Sequence, residues 1–394
     1  MNLDDATEEL ATRLGVPVVV LDTEMNLAAH SKQRESVDRA QLSIILTRRG
    51  TDGAINAIRR LKVRNATGPV KLPSEKDVPS HVVYPVRLSG ELKGYVTYED
   101  ASPDGSVPEH DLKILSSVGE ILGRLLAERE TARRQGAEQL QELMQKLMHT
   151  SPDERRRAAH EIHKSGLIQQ SSHYTVVRFT RRTPSKMDHT SDTQIDLGEA
   201  VRKALRLAKF AGIGTTFGDE GVAVTVGRLT QAELQRLVSA MRPMGVDIAA
   251  GGECDRLEDA YRSYKEARLT GGLCDLDPNR YPQGARWDHI GWDRLLVQLP
   301  LEELTIHDLP SALRTLWKAA DSEILIDTLE CYFEQGGNAL ETAKTLNVHR
   351  STLYYRLNRV RALTGVDLAD AGVQRDLHTG IRVSRLAGLR QTSL

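Results

Sequence analysis

The residue types able to do chemistry are densest between 349 and 359. His349, Arg350, Ser351, Thr352, Tyr355, Arg356 and Arg359 place cations, hydroxyls and one aromatic ring on the outward positions of a helix expected over 350–363. Such a face pairs with phosphate oxygens, and arginine can also read guanine edges bidentately. The other face, Leu353, Leu357 and Val360, is spaced by four and three, the period of a buried helical stripe. Upstream, Asn338 suits an N-cap and Glu341 can close a capping box, which opens a first helix over 339–346. Ala343 is small where a second helix must come close, Asn347 tolerates a left-handed turn conformation, and Gly365 ends the second helix. From Asn338 to Arg361 five basic residues face a single acid, Glu341, for a net charge of +4. His349 reads as a helix-start residue or a phosphate contact, because no second metal ligand is near it. The competing reading is a helical hairpin for protein contact with a solvated basic face.

Catalytic alternatives are weaker. His160-Glu161-Ile162-His163 invites a zinc reading, but a second imidazole one turn beyond His160 would fall at Lys164, whose ammonium repels a cation. The surrounding ERRRAAHEIHKSG (154–166) looks like the phospho-acceptor helix of bacterial sensor kinases, with His163 as the acceptor. A kinase also needs Asn-rich and Gly-rich segments to hold its nucleotide, and residues 167–394 show no such set. FGDEG (217–221) is similar to the GGDEF turn of diguanylate cyclases, with Phe217 replacing the first glycine and Gly221 the phenylalanine. Asp219 and Glu220 can still meet a cation, yet Asp-Glu-Gly is also what a tight hairpin wants. A domain that kept the fold and lost the chemistry fits better. There is no GxxxxGK[ST] loop and no GxSxG elbow. No enzymatic activity, cofactor or metal is therefore assigned.

These segments need elements to position them. VPVVVLD (16–22) reads as a buried strand, and VVYPVRLSGELKGYVTYED (82–100) as strand, Ser89-Gly90 turn and strand, with Gly94 at a close approach or bulge. A long helix follows from Pro108 and can continue past Gly136. Residues 1–130 then resemble a GAF- or PAS-type α/β sensor module. Its basic pairs Arg48-Arg49 and Arg59-Arg60 can meet an anionic ligand but read first as solvated helix faces. A helical linker (131–172) leads to an α+β domain (173–285) with a mainly antiparallel sheet: strand 174–181, loop 181–192, helix 197–210, hairpin 211–227, helix 229–242, strand 246–251 and helix 255–269. A helical connector (286–321), with helices near 292–299 and 309–317, joins it to an all-α domain over 322–394.

The chain has 394 residues, enough for two to three domains, and 27% of them are charged. The start, MNLDDATEEL, lacks the basic and apolar regions of a leader, and no stretch is apolar for long enough to span a bilayer. Cys254, Cys274 and Cys331 are too scattered for a disulfide framework and read as reduced thiols of a cytoplasmic protein. The net charge of −1 does not exclude nucleic acid, because it averages unlike parts. Residues 336–394 hold nine basic and four acidic residues, net +5, which leaves −6 for residues 1–335.

Taken together, TLECYF (328–333), ETAKTLNVHRSTLYYRLNRVRALTG (341–365), Asp367-Leu368 and the helix over 375–386 resemble the C-terminal pattern of PucR/CdaR-type bacterial transcription regulators. IAAGG (248–252) and LEDAYRSYKEA (257–267) look like that family's non-catalytic GGDEF-like domain. The resemblance implies a helix-turn-helix protein that binds double-stranded DNA, forms a homodimer or higher homo-oligomer, and responds to a small-molecule effector. It implies no membrane partner.

Overall fold

The computed structural model describes residues 1–32, 39–48, 50–72, 80–100, 106–182, 196–207, 211–282 and 284–389. The predicted loop at 181–192 and the end of the predicted helix 197–210 fall largely outside the described residues. The chain divides into two compact units, Met1–Gln139 and Leu140–Leu394. No helix of the described residues is long and apolar enough to cross a membrane.

The first unit contains α1 (Leu3–Leu14), β1 (Val18–Asp22), β2 (Leu27–His30), α2 (Arg39–Thr47), α3 (Asp52–Arg60), β3 (Val70–Leu72), β4 (His81–Leu88) and β5 (Glu91–Glu99), and α4 (Glu109–Leu147) begins in it. The five strands form one antiparallel sheet in the order β2-β1-β5-β4-β3. A central strand covered on both faces must be apolar at every position, which explains the unbroken run of valines in β1. Val18 and Val20 pack with α1 and α4, through Leu10, Leu115, Leu122 and Leu126. Val19 and Leu21 face the other way, onto Ile44 of α2 and Ile55 and Ile58 of α3. This is the expected GAF/PAS-like sandwich.

Ser89 and Gly90 both take positive φ (50° and 85°), the conformation a two-residue hairpin between twisted strands requires. Gly94 answers a different demand, because a Cβ there would lie 2.3 Å from the Leu21 carbonyl oxygen and 3.0 Å from Leu126. Gly94→Ala is therefore expected to destabilise this unit by about 1–3 kcal/mol, by forcing β1 and β5 apart. Amide exchange along Val18–Asp22 should accelerate in the variant, and unchanged protection would contradict the close approach.

In the second unit α5 (Pro152–Lys164) precedes β6 (Tyr174–Arg181), α6 (Leu197–Leu207), β7 (Gly212–Phe217), β8 (Glu220–Val226), α7 (Gln231–Met241), β9 (Val246–Ala250), α8 (Ala260–Leu276) and β10 (Ala285–Arg286). The sheet order is β10-β9-β6-β8-β7, antiparallel except where β10 joins β9. From β6 to β9 the chain traces βαββαβ, the split-βαβ arrangement. One sheet face (Val177, Phe179, Ala223, Ile248) carries α6 and α7. The other (Tyr174, Val176, Val222, Val224) carries α5, α8 and the last turns of α4.

The remainder is helical: α9 (Asp293–Leu296), α10 (Ser311–Trp317), α11 (Ser322–Glu334), α12 (Ala339–Thr345), α13 (Arg350–Thr364) and α14 (Ala371–Leu386). Only one turn forms where a helix near 292–299 was expected, and Pro300 and two short 3-10 turns follow it. Leu296, Leu313, Leu329, Leu353, Leu357 and Ile381 share one core that reaches back to Leu273 of α8.

Candidate nucleic-acid interface

The hairpin α12–α13 follows local rules throughout. The Asn338 side chain accepts the Leu340 and Glu341 amides at 3.0 and 3.3 Å, and this caps α12. Glu341 lies 3.9 Å from Lys344. Thr342 and Ala343 are buried where α13 passes. Asn347 takes φ 51°, so the chain reverses within the four residues between the helices, Leu346–His349. His349 is the N-cap of α13. Its Nδ1 accepts the Ser351 amide at 3.3 Å and lies 2.8 Å from Ser351 Oγ. With Nδ1 an acceptor, a neutral ring carries its proton on Nε2, which is then a donor free for an external acceptor. Gly365 closes the helix at φ 71°.

Leu353, Leu357 and Val360 are the buried residues of α13. His349, Arg350, Ser351, Thr352 and Tyr355 are all exposed, Tyr355 at 69%. Exposing an aromatic ring to that extent on a well-packed helix leaves a large apolar contact area without a partner. The Arg350 guanidinium stacks over the Tyr354 ring, 5.5 Å from its centroid, and donates to its hydroxyl at 3.2 Å. Tyr354 was not singled out from the sequence, although its spacing of four from Arg350 was the available signal.

The two remaining arginines are placed differently. Arg356 is half-buried and donates to Thr328 Oγ1 of α11 at 3.2 Å. Arg359 is exposed, with Nε 3.7 Å from Asp321. The structure thus gathers five of the seven named residues at the N-terminal end of α13 and gives Arg356 and Arg359 contacts toward α11.

The catalytic alternatives meet other surroundings. Glu220 is the first residue of β8, and its carboxylate takes the Arg178 Nε at 2.6 Å and the Tyr264 hydroxyl of α8. Burial, together with the hydrogen bond and negative charge of Glu220, pushes the Tyr264 phenol up to about 12. A guanidinium therefore sits where a cation would bind. Asp219 is almost fully exposed and pairs with Arg181 at 3.0 Å. His163 Nε2 lies 3.2 Å from the buried Tyr174 hydroxyl. Among the described residues no group of three or more His, Cys, Asp or Glu could hold a metal ion.

Two family models match in tandem. The PucR C-terminal helix-turn-helix domain covers residues 325–383, and the GGDEF-like domain covers residues 148–270. The chain thus carries a PucR-type helix-turn-helix domain and a GGDEF-like domain, and its relatives are PucR/CdaR-type transcription regulators. It is similar to the DNA-binding transcriptional activator AdeR of Bacillus subtilis (strain 168), at 20% identity over 98% of this chain and 93% of that protein. It is 21% identical to the proline-responsive transcriptional activator PutR of the same organism, over 73% of this chain and 72% of that one. Local similarity is higher to the carbohydrate diacid regulator of Escherichia coli (strain K12), 39% over 28% of each chain. The α12–α13 hairpin lies wholly inside the PucR-type helix-turn-helix match, and β6–β9 inside the GGDEF-like match.

Proposed function

We propose that this PucR/CdaR-type regulator binds specific DNA sites through α13, under the control of its N-terminal sensor module. The exposed N-terminal end of α13 carries the proposal: it combines Nε2 of His349, the guanidinium of Arg350, two hydroxyls and the Tyr355 ring above a fully buried stripe. The hydroxyls and cap amides suit phosphate, and Arg350 and Tyr355 suit base edges and thymine methyl groups. One such hairpin spans few base pairs, so a homodimer or higher homo-oligomer would present two hairpins to half-sites about one helical turn apart. An effector bound in the N-terminal module would shift the population of the paired, DNA-competent arrangement.

In this reading residues 1–130 sense, 131–172 link, 173–285 form the degenerate GGDEF-like domain, 286–321 connect and 322–394 read DNA. The protein works in the cytoplasm, uses no cofactor and turns over no substrate. Genome-wide DNA capture with the full chain, followed by titration of the recovered site across salt, tests this. Log affinity should fall with log salt by about 0.9 per phosphate contact. A flat response would favour a protein-interaction adaptor, and turnover of labelled ATP or GTP would favour an enzyme acting through His163 or Asp219 and Glu220.

A further inference from the structure

The first unit contains a cavity of ≈ 350 Å³ on the α3 side of its sheet. That is at the small end of the range in which proteins hold metabolites. Its floor is apolar, formed by Met25 after β1, by Ile55 and Ile58 of α3, and by the ring of Tyr95 on β5. Its rim carries Arg59, Lys62 and Arg64, all exposed. None of these three has an acidic partner among the described residues. Glu24, the one acid at the rim, lies 3.6 Å from Arg133 of α4 and is thereby partly neutralised. The lining is therefore cationic above and hydrocarbon below.

A second observation is independent of the charge count. Tyr95 is only 3% exposed, its ring lines the cavity, and its hydroxyl has no hydrogen-bond partner among the described residues. A phenol on the cavity wall can donate to an acceptor bound there. Burial raises the Tyr95 phenol, with Arg64 and Arg87 acting to lower it, so at neutral pH the group is a protonated donor close to two guanidinium charges. Arg87 spends its own donors on the Arg64, Ala66 and Gly90 carbonyls, which fixes the loop that carries Arg64.

We infer that this cavity binds a small organic acid, with its carboxylate between Arg59, Lys62, Arg64 and the Tyr95 hydroxyl and its hydrocarbon body on Met25, Ile55 and Ile58. Arg59, which reads from sequence as part of a solvated helix face, becomes a ligand contact; Arg49 lies outside the described residues. The inference deepens the sensor reading and rests on it only for the step from ligand to DNA.

Titration of the full chain with a panel of aliphatic and aryl monocarboxylates, followed by thermal shift and calorimetry, tests the site. At least one acid should raise the melting temperature, while its primary amide and inorganic phosphate should not. The Arg59→Ala/Arg64→Ala variant should bind that acid about tenfold to a hundredfold more weakly, Tyr95→Phe about tenfold more weakly, and Arg60→Ala as the parent does. The site is refuted if no acid in the panel binds, if the amide or phosphate binds equally well, or if Arg59→Ala/Arg64→Ala retains full affinity. DNA affinity of the unliganded chain is measured in parallel. Lost acid binding with intact DNA affinity removes the site and leaves the regulator, and the converse removes the DNA reading alone.

Discussion

Arg382→Met should lower the stability of the C-terminal helical core by about 3–5 kcal/mol. Arg382 on α14 is 7% exposed and Asp293 at the start of α9 is 5% exposed. They meet through two parallel hydrogen bonds of 2.9 and 2.6 Å, and a third Arg382 donor reaches Asp277 at 2.5 Å. Tyr281 adds its hydroxyl to Asp293 at 2.6 Å. Removing the guanidinium leaves a buried carboxylate with only the more distant Arg280, 4.0 Å away, as countercharge, whereas a well-packed apolar pair can be nearly neutral. The double variant Arg382→Met/Asp293→Leu should therefore recover part of the loss.

The chain's three tryptophans, Trp287, Trp292 and Trp317, all lie between α8 and α11, so their fluorescence during urea unfolding reports this core selectively. An unchanged midpoint in Arg382→Met would remove the pair from the account. Acid adds a check of sign. Burial pushes the Asp293 carboxyl up, but the hydrogen bonds from Arg382 and Tyr281 outweigh it and hold the group below its ordinary value. A lowered carboxylate contributes stability that is complete above the unfolded value and is lost as pH falls through the folded one. The parent core should resist acid to below the usual carboxylate range, and Arg382→Met should lose that margin.

The parts of the fold legible in the sequence were those set by neighbours a few residues apart. The α12–α13 hairpin was readable because cap, turn residue, stripe and closing glycine all act within one or two turns, and each agrees with the others. The hairpins at Ser89-Gly90 and Gly218-Asp219 were readable for the same reason. β2, β3 and β10 were not. They are four, three and two residues long, too short for any period to register, and they exist only because a longer strand offers its edge.

Long-range pairing was equally hidden. Nothing near Glu220 announces that Arg178 and Tyr264 will claim its carboxylate, and nothing near Arg382 points to Asp293, 89 positions away. Arg59 shows how this limits the reading of sites. Its charge is legible, but the floor beneath it comes from Met25 in the β1–β2 turn and Tyr95 on β5. The helical period of α13 likewise could not show that Arg356 would turn inward to Thr328, since that depends on where α11 lies.

That last placement separates two kinds of arginine variant. Arg350→Ala/Tyr355→Ala should reduce specific DNA affinity by about a hundredfold or more, since each contact of this type is worth about 1–3 kcal/mol of discrimination. Both side chains are exposed, and neither belongs to the buried stripe, so the tryptophan-monitored unfolding midpoint should not move. Lys344→Ala serves as the electrostatic control: it should weaken binding to all sequences alike and make the salt slope shallower by about 0.9 if it meets one phosphate. Arg356→Ala should behave differently from both, because it removes the donor that ties α13 to buried Thr328 and so shifts stability together with binding. Footprinting and urea unfolding on the same four proteins distinguish these outcomes. Specific binding retained in Arg350→Ala/Tyr355→Ala would mean that α13 does not read the operator, and the basic face would then belong to a protein contact.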